Sequence, residues 1–158
     1  MQAEDDVRYM QRTREFYRAQ GYSNDYQWAA NASRPFTPLT KPLSACRVGV
    51  ITTAMPDTPQ GRTNRGVYAL ASTPAPRSMY TAELSWDKEA THTEDVDSFL
   101  PLAALNEARQ RGTVGDLAQR FYTVPTDYSQ RNTCEQDAPR LLNLCREDAV
   151  DVALLVPL

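Results

Sequence analysis

The sequence of 158 residues is poor in the side chains that most often hold metals, with one histidine and three cysteines. Cys46, Cys134 and Cys145 are odd in number and form no Cys-x-x-Cys pair, which suits reduced thiols better than a disulfide framework. With His92 as the single imidazole, no metal site is expected within one chain. Glycine is scarce as well: the six residues at 21, 49, 61, 66, 112 and 115 make no GxGxxG and no phosphate-cradling loop, which sets aside a dinucleotide cofactor. The longest apolar run, residues 150–158 broken by Asp151, falls far short of the roughly 20 residues that cross a bilayer, so no membrane partner is expected. Lysines and arginines form no block and the net charge is -3, so nucleic acid is not an expected partner either. Internal repeats and low-complexity tracts are also absent.

What is present is an ordinary globular composition. Hydrophobic residues make up 41% and charged residues 23%, which argues against disorder, and the length fits one domain. Residues 1–6 are acidic where a secretory signal would be basic, so the expected location is the cytoplasm, and the sequon Asn31-Ala32-Ser33 is then a chance match.

Residues 4–20 predict a helix stopped by Gly21, with Tyr9, Met10, Phe16 and Tyr17 on one side. The aromatic and proline-bearing stretch after it, 22–45, reads as an irregular segment. Residues 1–35 are thus a lead-in and 36–158 an α/β domain. Arg47-Val48-Gly49-Val50-Ile51-Thr52-Thr53 reads as a buried strand, 54–67 as a long loop, 68–72 and 79–86 as strands, and 87–98 as loop. Leu102, Leu105, Ala108 and Arg109 recur at helical spacing ahead of Gly112, and 117–124 reads as a further strand. Thr133 and Gln136 have capping-box spacing before Ala138, Leu141, Leu142, Cys145 and Ala149, so a helix is expected from Thr133, packed through Leu141, Leu142 and Cys145. Residues 150–156 are nearly continuously apolar, like a strand of a parallel sheet. Strands alternating with helices predict a doubly wound, mainly parallel α/β sheet, flavodoxin-like or Rossmann-like, incomplete at the carboxyl terminus and preceded by the N-terminal helix.

In such a sheet the loops at the carboxyl ends of the strands line the ligand crevice. Thr52 and Thr53 lie there as hydrogen-bonding candidates. Arg62 and Arg65, in Gly61-Arg62-Thr63-Asn64-Arg65-Gly66, could hold a substrate carboxylate by a bidentate pair; the plain alternative is a solvated loop. His92, among Glu94, Asp95 and Asp97, is a candidate proton donor with Asp97 beside it, against the plain alternative of a surface histidine among capping residues. No catalytic nucleophile is visible.

Three stretches together resemble the selenoprotein B family of glycine, betaine, sarcosine and D-proline reductases. They are Pro38-Leu39-Thr40-Lys41-Pro42-Leu43 leading into residues 47–53; Ala90-Thr91-His92-Thr93-Glu94-Asp95-Val96-Asp97-Ser98-Phe99-Leu100-Pro101-Leu102; and the block from Phe121 through Pro125-Thr126-Asp127-Tyr128-Ser129-Gln130-Arg131 to Leu158. The resemblance spans residues 36–158 and is weakest over 54–85. It implies reductive chemistry on small amino-acid-like substrates, with a protein partner or a second copy of the chain in a larger complex. In that family the strand resembling 150–156 runs directly into a selenocysteine or cysteine, so that redox residue is expected just after Leu158. Selenocysteine is encoded by UGA, which also reads as stop, so a frame translated without recoding ends here; a shortened domain or a naturally short paralogue gives the same end. The alternative function is a non-catalytic binding or assembly module.

Overall fold

The computed structural model describes residues 8–25, 29–30, 32–33, 37–84, 89–127 and 129–158. Two units result, Met1–Phe36 and Thr37–Leu158. In the first, helix α1 (Tyr9–Ala19) ends at Gly21, whose φ of +88° is the left-handed conformation that glycine adopts without a Cβ clash. Phe16, Tyr17 and Tyr22 meet edge to face at 5.6 and 5.5 Å. The start of the expected helix, at 4–7, lies outside the described residues, as do Asn31 of the sequon and, from the irregular stretch, Tyr26, Trp28, Pro35 and Phe36.

The second unit is organised by β1 (Arg47–Thr52), five of whose six residues are buried. Along one side of it run β5 (Asp116–Leu117) and β6 (Arg120–Thr123), both parallel to it, and along the other runs β7 (Val152–Val156), also parallel. On the far side of β6 lies β3 (Tyr68–Ala71), antiparallel. Strand alternation sends neighbouring residues to opposite faces. Val50, Phe121 and Leu70 go to one face, under Phe99, Leu100 and Leu102 at the head of helix α3 (Leu102–Gln110). Ile51, Tyr122 and Ala69 go to the other, under Leu141, Leu144 and Cys145 of helix α5 (Ala138–Glu147). Helices on both faces of a mainly parallel sheet make this a doubly wound, Rossmann-like α/β domain. Among the described residues no helix is long and apolar enough to cross a membrane.

Several local expectations are corrected. The stretch 54–67 is not all loop: it holds β2 (Met55–Pro56), paired antiparallel with β4 (Met79–Tyr80), and the short helix α2 (Pro59–Thr63), whose cap Thr58 accepts the Gly61 N–H at 3.0 Å. The strand expected over 79–86 stops at Tyr80, because its pairing partner is two residues long; 85–86 lie outside the described residues. The loop read at 87–98 ends in a tight turn, Val96–Ser98. The single strand expected over 117–124 is two, since between the Val48–Leu117 and Ile51–Tyr122 pairings β1 advances three residues and its partner five, a bulge that interrupts the ladder.

The last helical segment starts earlier than its capping-box spacing suggests. Ser129 caps α4 (Gln130–Asn132) by accepting the Asn132 N–H at 3.2 Å, a π-turn comes next at Thr133–Asp137, and α5 continues from it. Leu142 is 49% exposed and Leu144 is 2% exposed, so the buried stripe runs through Leu141, Leu144 and Cys145. Ala149 is no longer helical: it is the left-handed cap, with φ +51°. A non-glycine residue there carries a Cβ clash, so Ala149→Gly is expected to raise unfolding free energy by about 0.5–1 kcal/mol, read by urea denaturation. Gly112, with φ +76°, fills the equivalent place after α3 as its position implies.

Candidate functional site

The polypeptide leaving β1 and β6 at their carboxyl ends builds a cleft of about 300 Å³. One wall comes from Thr53, Met55 and the run from Gly61 to Arg65, another from Tyr80, Thr81, Glu83 and Leu84, and a third from Pro125, Thr126 and Asp127 after β6. Gly61 is required there by close approach: a Cβ would sit 2.2 Å from the Pro56 carbonyl oxygen. That contact seats α2 against β2 and aims the next residues at the cleft.

Arg62 and Arg65 both line it, and both are already engaged. The Arg62 Nε–H donates to Asp57 Oδ1 at 2.7 Å, and the guanidinium lies 5.5 Å from the centre of the Tyr80 ring. Asp57 also accepts from the Ser78 hydroxyl at 2.9 Å, and these donors, Arg62 first, hold its carboxyl below the usual range. Arg65 pairs with Asp127 through Nε and with Asp137 through Nη1 and Nη2, at 3.1 and 2.5 Å. The Arg65 hydrogen bond is the main cause that lowers the Asp127 pKa; the Ser129 N–H, at 3.0 Å, adds to it. Tyr80 is pushed up, first by burial and then by Glu83. The cleft is therefore walled by fixed, internally neutralised charges, with the Thr53 hydroxyl and the Glu83 carboxylate beside an aromatic ring.

Thr53, Arg62 and Arg65 are brought together by the fold. Thr52 lies beneath, 1% exposed, its hydroxyl accepting the Ala54 N–H at 3.4 Å. His92 is exposed and is not part of the cleft lining, although its neighbour Thr93 shares a 2.7 Å hydrogen bond with Thr81 of the wall. Asp97 serves the backbone: its Oδ1 accepts the Ala103 N–H at 3.1 Å in the first turn of α3. Sequence reasoning missed Asp57, Tyr80, Glu83, Asp127 and Asp137. Asp127 alone had a visible signal, its place in a Pro-Thr-Asp turn following an apolar strand. Thr53 also receives a hydrogen bond from the chain leaving β7: the Leu158 N–H donates to its Oγ1 at 2.9 Å.

A second polar cluster sits at the opposite, amino ends of the strands. Arg120 donates to both oxygens of Asp148 at 2.9 to 3.1 Å, the fully buried Tyr122 hydroxyl donates to Asp148 Oδ2 at 2.5 Å, and the Arg47 guanidinium reaches the Asp148 carbonyl at 3.1 Å. Cys145, beside it, has its thiol pKa raised by burial and then by Asp148. Among the described residues no group of three or more His, Cys, Asp or Glu side chains is placed to hold a metal ion.

The fold and the cleft define a class: a doubly wound α/β domain with one polar, partly aromatic cleft at the carboxyl ends of its parallel strands. In comparison with known proteins, no family model, no curated protein and no solved structure matches the chain.

Proposed function

We propose that the chain is the substrate-binding part of a selenoprotein B-type reductase, acting on small amino-acid-like molecules held in the cleft. The observation that carries this reading is the hydrogen bond from the Leu158 N–H to Thr53, because it brings the backbone leaving β7 to a residue of the cleft wall. A selenocysteine or cysteine directly after Leu158 would be delivered to the place where a redox nucleophile meets a bound substrate. In this reading, Thr53 and Glu83 bind the substrate's polar groups and Arg62 and Tyr80 shape its seat. The selenol or thiol supplies electrons and is reset by a dithiol donor, which fits a reducing cytoplasm. A protein partner or second copy would complete the complex.

The test compares the 158-residue chain with a form extended by a cysteine after Leu158 and a second cysteine shortly beyond it. Both are assayed for reduction of glycine betaine, sarcosine and D-proline with dithiothreitol, and labelled with iodoacetamide at mildly acidic pH. The extended form is expected to turn over and to label; Thr53→Val in it should raise KM. Equal turnover by the short form, or a low-pKa thiolate at Cys46, Cys134 or Cys145, would falsify the proposal.

A second reading, a non-catalytic assembly module, is favoured by one feature. Among the described residues β7 pairs only with β1, and Leu154 and Leu155, on opposite faces of it, are 38% and 65% exposed. Such an edge is a ready surface for another strand. The codon after Leu158 separates the readings: UGA followed by an open frame with a nearby cysteine supports the reductase, and any other stop supports the module.

A further inference from the structure

The connection from β6 to β7 changes helical type in its middle, with α4, the π-turn at Thr133–Asp137 and α5 joined end to end without a break. A π-turn holds one residue more than an α-turn, and each residue advances the helix by about 100°, so it resets the rotation of α4 against that of α5. At its last residue, Asp137, which is 3% exposed, it leads into the stripe of Leu141, Leu144 and Cys145 that packs on Ile51 and Tyr122. Upstream, Ser129 and Asn132 grip Asp127, through the Ser129 N–H at 3.0 Å and the Asn132 Nδ2 at 3.5 Å. The two aspartates, one ahead of the π-turn and one at its last position, meet on the same guanidinium, that of Arg65.

Asp127 lines the cleft and Asp137 does not. A carboxylate buried as deeply as Asp137 is held by its bidentate pair, because without Arg65 its charge would be left buried and uncompensated. We infer that Asp137 is a positioning residue for the cleft. Through Arg65, and in the register the π-turn sets, it locks the Asn64–Arg65 wall to the Asp127 wall and fixes where the Asp127 carboxylate points. This rests on the cleft being the ligand site and is independent of the redox chemistry assigned to it, so the test uses no turnover.

Amide hydrogen exchange of the full chain is compared for the wild type, for the near-isosteric Asp137→Asn, and for deletion of Glu135, which lets the turn close as α-helix. Both variants are expected to exchange about tenfold faster over residues 64–66 and 127–132, while Val48 to Thr52 in β1 keeps its protection. Unchanged protection over 127–132 in Asp137→Asn overturns the inference. So does a rise of equal size throughout β1, because that pattern belongs to a residue that merely stabilises the fold. Should the deletion variant not fold, Asp137→Asn decides alone.

Discussion

Asp148→Ala is expected to lower the unfolding free energy by about 3 kcal/mol, because it leaves the fully buried Tyr122 hydroxyl without an acceptor and Arg120 with only the exposed Glu147. The same cluster sets a pH window. Burial alone would raise Asp148, but hydrogen bonds from Arg120 and Tyr122 outweigh it, and its carboxyl lies below the usual range. A depressed carboxyl contributes stability above its unfolded value of about 3.9 and loses it as pH falls through the folded value. Tyr122 is moved the other way, up, by burial first and by Asp148 next. Its contribution is complete below the unfolded value of about 10 and is lost as pH rises toward the folded one. Urea denaturation followed by circular dichroism across this range should therefore show wild-type stability falling at both ends. Tyr122→Phe should abolish the alkaline fall, and a change within about 0.5 kcal/mol for Asp148→Ala at neutral pH would show the cluster to be a surface ornament.

Gly61→Ala is expected to cost about 2 kcal/mol and to deform the cleft, since the new methyl would lie 2.2 Å from the Pro56 carbonyl oxygen and backbone must move to admit it. The move displaces α2 and with it Arg62, whose stacking on Tyr80 would be lost. Gly66→Ala is the control. Its nearest neighbour, an atom of the Tyr68 ring, would be 3.8 Å away, so a change of under about 0.5 kcal/mol is expected. Denaturation gives the energies, and the Tyr80 ring resonances report the stacking. If the two alanines behave alike, the close approach at Gly61 does not shape the site.

The π-turn was beyond the reach of periodicity for a related reason. Thr133 and Gln136 carry capping-box spacing, yet Ser129, four residues earlier, is the cap: its own N–H is held by Asp127 and its hydroxyl accepts the Asn132 N–H. Leu142 satisfies an apolar pattern with Leu141 and Cys145, but a helix buries only one stripe against a sheet, and Asp137, Leu141 and Leu144 set which stripe that is.

The sequence by itself determined the parts whose cause is local. The β-branched run of β1, the apolar run of β7, the helical spacing ahead of Gly112 and the glycine caps each arise from a repeat or a dihedral preference written in neighbouring residues. Their alternation was enough for the doubly wound class. Tertiary structure decided the site. Arg65 lies 62 residues from Asp127 and 72 from Asp137, and Arg120 lies 28 from Asp148. These long-range pairs follow no period along the chain, and which carboxylate reaches Arg65 or Arg120 is set only when strands in register bring their loops together.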